Sequence, residues 1–181
     1  MLASMLLALV GTANAAEPKA SGLYIGAGYG VSGFDDDSLA EGLDLDDKDK
    51  MAQVWAGYKF NNFLGLEARY AGFGTFSVPG AAIDSTSLSG HVVGTIPLGG
   101  SGFALFGNVG YGNVDFEISD EDGSESETES AYVIGVGVRW HLTEMFSISV
   151  QHDRYAFELE DFDETFSLAV GGTTVGIQLI F

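Results

Sequence analysis

The strongest constraint in this sequence is an alternation of apolar residues with small or polar residues at a period of two, which begins at Gly22. Leu23 and Ile25 occupy one side of the repeat, while Tyr24 and Gly26 occupy the other. A period of two is typical of β-strands whose two faces meet different surroundings. The pattern recurs in segments 22–31, 54–60, 64–70, 88–98, 103–112, 132–140, 146–153 and 174–181. We therefore predict an all-β fold with eight strands.

The connections between these segments alternate in length. Short turns are predicted at 61–62, 97–101 and 141–145, and longer segments lie at 32–50, 72–85, 113–130 and 156–166. This alternation is typical of transmembrane barrels, whose short turns face the periplasm. The sequence has no run of 18 apolar residues, so a membrane-embedded chain would have to form a closed barrel. We predict an eight-stranded antiparallel up-and-down transmembrane β-barrel with its long segments outside the cell.

Aromatic and acidic residues are distributed as this topology requires. Outward-facing aromatic residues are expected near both ends of the strands, where they would form a girdle at each membrane interface. Most of the 26 acidic residues fall in the four long segments, which leaves the outward apolar band free of acid. The expected periplasmic girdle is Phe60, Phe103, Trp140, Phe146 and Phe181, and the outer one is Tyr29, Tyr70, Tyr111 and Tyr132.

The N-terminus is typical of an export signal. An apolar core from Met5 to Val10 precedes Ala13-Asn14-Ala15, the small-x-small pattern that signal peptidase cleaves. No Lys or Arg precedes the apolar core, which departs from the usual signal, and a buried apolar N-terminal segment is the alternative. We predict a signal peptide at 1–15 and a barrel domain at 16–181, with the cell outer membrane as the destination.

Composition excludes several classes of protein. The chain has no cysteine, so it has neither disulfides nor Cys-based metal or nucleophile sites. Its formal charge of −19 excludes a nucleic-acid partner, because such proteins need a basic surface to displace counterions from phosphate. A soluble lipocalin-like barrel would turn apolar residues inward, whereas here the Gly-rich face carries the charges.

The ordered strands resemble the OmpA/OmpX-like family of eight-stranded outer-membrane β-barrels. The similarity rests on segments 22–30, 56–70, 105–112 and 135–140 and on the terminal Phe181. The resemblance implies that Phe181 is the signal read by the barrel-assembly machinery, and that outer-membrane lipid surrounds the barrel. Because the chain stops at Phe181, we expect a stand-alone barrel without a peptidoglycan-binding domain. We also expect a monomer.

Five charged residues are predicted to point into the lumen: Lys59, Glu67, Arg69, Arg139 and Asp153. The interior of an eight-stranded barrel is only wide enough for side chains, and unpaired charges there would be costly. One interpretation is a packed salt-bridge network that fills the lumen. The other is a gated, low-conductance pore in which the ions exchange partners.

The remaining residues offer little for catalysis or metal binding. The acidic segments suggest divalent cations, but Asp120-Glu121-Asp122-Gly123 lacks the spacing of a calcium loop, and a solvated acidic surface is the alternative. His91, His141 and His152 are scattered, and no catalytic triad is expected. We predict no enzyme activity, no resident metal and no cofactor.

The predicted role is outer-membrane integrity or surface interaction and adhesion, through surface ligands or divalent cations at the acidic segments. A small passive porin with a salt-bridge-gated lumen is the alternative, followed by a lipid-modifying enzyme.

Overall fold

The computed structural model describes residues 19–35, 49–78, 81–120, 123–161 and 164–181. The predicted signal peptide, at 1–15, lies outside the described residues, and so does most of segment 32–50.

Eight β-strands make up nearly all of the described chain. They are β1 (Gly22–Asp35), β2 (Asp49–Lys59), β3 (Leu64–Val78), β4 (Ala81–Pro97), β5 (Phe103–Asp120), β6 (Gly123–His141), β7 (Phe146–Asp161) and β8 (Glu164–Ile180). Each strand pairs antiparallel with its neighbours in sequence, and β1 closes on β8 along a register that runs from Tyr24↔Ile180 to Asp35↔Ala169. The predicted eight-stranded antiparallel barrel is confirmed.

Three of the four long segments were wrongly interpreted as loops. Strands β5 and β6 stay paired as far as Asp120↔Gly123, and β7 and β8 as far as Asp161↔Glu164. Strands β3 and β4 likewise pair as far as Val78↔Ala81. The apolar alternation stops where a strand leaves the lipid, but backbone hydrogen bonding continues without it. The chain therefore extends past the apolar band as paired hairpins.

The two faces of the strands are those that the alternation predicted. In β2, Gln53 and Trp55 are buried in the lumen, whereas Val54 and Ala56 are exposed on the outer surface. The same alternation holds in the other strands, and large aliphatic residues cover the outside of the barrel. An apolar outer surface and a polar interior are the reverse of a soluble barrel, as lipid requires.

Both predicted aromatic girdles lie on the outer surface. At one end the rings of Phe103 and Trp140 stack, with centroids 5.6 Å apart and planes 10° apart. At the other end the rings of Tyr111 and Tyr132 lie 5.2 Å apart. Amphipathic rings at these two levels suit the two interfaces of a bilayer.

Among the described residues, no helix is long and apolar enough to cross a membrane.

Side chains fix the short turns at one end of the barrel. The Asn61 side-chain oxygen accepts hydrogen bonds from the backbone N–H groups of Phe63 and Leu64, at 2.8 and 2.9 Å. Thr143 Oγ1 accepts one from the Phe146 N–H at 2.9 Å. Such local bonds replace the backbone partners that a tight turn loses. We call this the periplasmic end, since short turns face the periplasm in barrels of this kind.

Candidate functional site: the barrel lumen

Three of the five charges predicted for the lumen lie together at its centre. Arg69 and Glu67 lie two residues apart on β3 and so share a face, while Asp153 reaches across from β7. Arg69 Nη2 lies 2.6 Å from Glu67 Oε1, and Arg69 Nε donates to the same oxygen at 3.0 Å. Arg69 Nη1 forms an ion pair with Asp153 Oδ1 at 2.9 Å. One guanidinium therefore pairs with two carboxylates, and we call these three residues the ionic centre.

Hydrogen bonds extend the ionic centre to further strands. Asp153 accepts from Asn108 Nδ2 at 3.0 Å and from Gln151 Nε2 at 2.7 Å. On the opposite side, Tyr24 donates from its hydroxyl to Glu67 Oε2 at 3.2 Å. Both carboxylates are thus held by several donors in a water-poor interior, where such bonds strengthen one another.

Glycines on the inner face leave room for this network. A Cβ added at Gly135 would collide with the Asp153 carboxylate and the Asn108 amide, and one added at Gly110 would collide with the His91 ring. The abundant glycine of the inner face is therefore a packing requirement at these positions.

The His91 ring lies within hydrogen-bond distance of Ser89 in the lumen, a contact that the sequence did not predict. Its Nε2 lies 2.8 Å from Ser89 Oγ and its Nδ1 lies 2.9 Å from Asn108 Oδ1. The order serine, histidine, asparagine is one that nucleophilic enzymes use. Here all three side chains are enclosed at about the same depth as the ionic centre, and they continue its hydrogen-bond chain. His141 and His152 lie elsewhere, and His152 is exposed on the outer surface beside Thr173.

The other two predicted lumen charges lie apart from the ionic centre. The Arg139 guanidinium carbon lies 4.5 Å from the centroid of the Phe106 ring, a cation–π contact. Lys59 Nζ donates to the Lys19 carbonyl at 2.9 Å and lies 3.4 Å from Asn62 Oδ1. Neither residue forms an ion pair within the part of the chain that the structure describes.

Sequence reasoning missed an apolar layer on the extracellular side of the ionic centre. Phe73 and Tyr155 meet edge to face across it, with ring centroids 4.8 Å apart. All of its members are almost fully buried. Most of them lie in or next to segments interpreted as loops, although each continues the inward alternation of its strand. We call this layer the apolar plug; it comprises Met51, Ala71, Phe73, Val114, Ala131, Val133, Tyr155 and Val170.

No group of three or more His, Asp or Glu residues in the described ranges is arranged to hold a metal ion. Most acids of the extracellular segments lie outside those ranges, or their side chains do, so the predicted cation binding there stays a prediction.

The comparison with known families decides the class of protein. A family model described as the outer membrane protein beta-barrel domain matches residues 2–176. The chain belongs to this family. Its place in the cell outer membrane follows from that membership, and the resemblance to outer-membrane barrels predicted from the sequence is confirmed.

A curated relative of this barrel is also an outer membrane protein. This relative, the 22 kDa outer membrane protein of Rhizobium leguminosarum bv. viciae, is 24% identical over 147 residues. The match covers 78% of this chain and 66% of the relative, just under two thirds of its length.

Solved structures show the same fold at low identity. Neisserial surface protein A (NspA) is 12% identical, with a TM-score of 0.71, and the match covers 90% of this barrel and 100% of NspA. The attachment invasion locus protein Ail of Yersinia pestis is 21% identical, with a TM-score of 0.60 and coverage of 90% and 99%. OprG of Pseudomonas aeruginosa is 15% identical, with a TM-score of 0.55 and coverage of 92% and 99%.

Proposed function

We propose that this protein is a closed-lumen outer-membrane barrel that acts at the cell surface, where its acidic extracellular segments bind cationic partners. The observation that carries the proposal is the pairing of a filled interior with an acidic exterior. A barrel of this kind would contribute to outer-membrane integrity as a rigid body in the lipid and would interact with its surroundings through its hairpins.

The filled interior argues against the passive porin. An ion crossing the barrel would have to pass between the rings of Phe73 and Tyr155 and then through the paired ionic centre. Apolar constrictions exclude water, and separating a buried ion pair costs several kcal/mol, typically about 3–5. The lumen residues are thus better suited to holding the barrel together than to conduction.

The extracellular side supplies the charge for binding. Paired strands carry Asp84 and Asp115 beyond the outer tyrosines, where both side chains are exposed. Asp115 also accepts a hydrogen bond from Thr128 at 2.6 Å, which joins β5 to β6 at this level. Clustered carboxylates of one sign attract cations over a Debye length and speed their encounter. The partners proposed are cationic proteins or peptides, and divalent cations would compete with them.

The sign of the charge separates this protein from one of its structural neighbours. Ail of Yersinia pestis was crystallised with the heparin analogue sucrose octasulfate, an anionic ligand. The acidic segments of the present barrel would repel such a ligand. We therefore expect binding preferences opposite to that complex.

Attachment of intact cells tests this function. Cells that produce the wild-type protein are compared on poly-lysine-coated and heparin-coated surfaces with cells that produce a neutralised hairpin variant. That variant carries Asp120→Asn, Glu121→Gln, Asp122→Asn, Glu125→Gln and Glu127→Gln. A charge-preserving control carries Ser124→Thr, Ser126→Thr and Ser130→Thr in the same hairpin.

We expect the wild type and the serine control to attach to poly-lysine, and the neutralised variant to attach about tenfold less, since several weak surface charge contacts add up. Heparin-coated surfaces should retain neither the cells with the wild type nor the cells with either variant. Equal attachment of the wild type and the neutralised variant to poly-lysine, or stronger attachment of the wild type to heparin, would contradict the proposal.

A further inference from the structure

The periplasmic end of the lumen is basic, in contrast to the rest of the molecule. The inward-facing residues Lys59, Arg139 and His141 lie near the periplasmic ends of β2 and β6. Arg139 and His141 lie two residues apart on β6, and both are buried on its inner face. Two cationic side chains and a histidine thus lie at this end of a chain whose formal charge is −19.

Among the described residues, Arg139 has no ion-pair partner of its own. The residue is 7% exposed, and its Nε has no hydrogen-bond acceptor in the part of the chain that the structure describes. The carboxylate of Glu67, whose charge acts on Arg139, is already engaged: Oε1 accepts from Arg69 and Oε2 accepts from Tyr24. The contact with the Phe106 ring offsets only part of the cost of burying the Arg139 charge, because a cation–π contact is weaker than that cost.

A second buried donor lies beside Arg139. Ser149 on β7 is the register partner of Arg139, and its Oγ is buried with no hydrogen-bond partner among the described residues. The next inward pair toward the periplasm is His141 with Ser147, where Ser147 is also buried. Two neighbouring strands thus present basic and hydroxyl donors to the same part of the lumen.

The surrounding acids do not neutralise this cluster. Glu144, in the turn between β6 and β7, is exposed, and Asp153 belongs to the ionic centre farther along β7. Within the described ranges, neither Lys59 nor Arg139 forms an ion pair. Lys59 is half-buried at the periplasmic end of its strand, where its ammonium group bonds the Lys19 carbonyl.

We propose that the periplasmic mouth of the lumen binds a phosphate group, held by Lys59, Arg139 and His141 with the Ser149 hydroxyl as an additional donor. A tetrahedral oxyanion accepts hydrogen bonds from several directions, and guanidinium and ammonium groups are its usual partners. The group would come either from free phosphate in the periplasm or from a phospholipid headgroup of the inner leaflet. This site is separate from the extracellular binding proposed above, and neither depends on the other.

Calorimetry tests the site. The full chain is folded in a phosphate-free, non-ionic detergent and titrated with inorganic phosphate at constant ionic strength set by sodium chloride. A parallel titration uses a short-chain phosphatidic acid below its micelle concentration. The variants are Arg139→Gln and Lys59→Gln, and the matched control is Lys50→Gln, which removes a charge at the exposed extracellular end of β2.

We expect saturable heat in the wild type and in Lys50→Gln, and binding weakened about tenfold or more in Arg139→Gln, the loss expected when a charge-assisted hydrogen bond is removed. Binding of inorganic phosphate identifies a free-ion site, and binding of phosphatidic acid alone identifies a lipid headgroup. Heat-modifiable migration on a gel checks folding, and if Arg139→Gln does not fold, Lys59→Gln decides. No saturable heat with either probe, or binding unchanged in the variants that fold, would overturn the proposal.

Discussion

At the scale of single residues, Arg69 is the side chain on which the interior most depends. It lies between two carboxylates that approach from opposite walls of the lumen. A buried pair adds little over a well-packed apolar core, but the removal of one partner leaves an uncompensated charge. Here the loss of Arg69 would leave two uncompensated carboxylates.

Arg69→Gln should therefore lower the free energy of unfolding by about 3–5 kcal/mol. Urea unfolding of the detergent-folded protein measures the change. Arg154→Gln is the control, because Arg154 is exposed on the outer face of β7 and its removal creates no buried charge. Equal stability of the two variants would show that the ionic centre does not hold the strands together.

Glycines on the two faces of the barrel should respond differently to an added methyl group. At Gly135 the new Cβ would collide with Asp153 and Asn108, whereas at the outward-facing Gly90 no atom lies within 4 Å. We expect Gly135→Ala to cost about 1–3 kcal/mol through overpacking. Gly90→Ala should be neutral or stabilise by about 0.4–1 kcal/mol, through the reduced entropy of the unfolded chain. Urea unfolding measures the free energy of unfolding of both variants. Equal changes at Gly135 and Gly90 would show that the inner face is not packed more tightly than the outer face.

At the scale of the strand, the sequence predicted some features well and others poorly. The number of strands, their inward and outward faces and the short turns could be read from alternation, because lipid imposes apolar residues on one face. The lengths of the strands could not be predicted in this way. Outside the membrane no such constraint acts, so the paired ends of β5 and β6 resemble polar loop sequence.

The contents of the lumen were also only partly predictable. Alternation places Glu67, Arg69 and Asp153 inside, and the up-and-down order sets β3 opposite β7. The level of each side chain along the barrel axis does not follow from either, so the three-residue pairing needed the structure. The contact of His91 with Asn108 joins the neighbouring strands β4 and β5, and it was missed because it depends on the register between them. The apolar plug was missed because the strands were ended too early.

The last strand carries the residue predicted to direct assembly. Phe181 is exposed on the outer surface, and its N–H donates to the Leu23 carbonyl at 2.8 Å. We propose that its ring is read by the barrel-assembly machinery, as the family resemblance implies. Phe181→Ala should then reduce the amount of folded protein in the outer membrane several-fold. Phe60→Ala, in the same girdle, should have little effect. Heat-modifiable migration of outer-membrane fractions measures the amount of folded protein for both variants. Equal losses of folded protein would show that the aromatic girdle, and not Phe181 in particular, is responsible.

At the scale of the whole molecule, the layers of the barrel are ordered along its axis. A basic mouth at the periplasmic end is followed by the ionic centre, the apolar plug and acidic hairpins outside the cell. The side chains of the two inner layers are almost fully buried, and the two ends carry charges of opposite sign. Binding at the ends and closure in the middle are therefore what this arrangement supports.

Planar-bilayer recording of the purified, folded protein tests the closed lumen most directly. We predict no steady conductance for the wild type, because the rings of Phe73 and Tyr155 meet across the lumen and the charges of the ionic centre are paired below them. The double variant Phe73→Ala and Tyr155→Ala should show openings if the plug is the barrier. A steady ohmic conductance of the wild type, unchanged by these substitutions, would contradict the closed lumen and restore the small passive porin as the leading function.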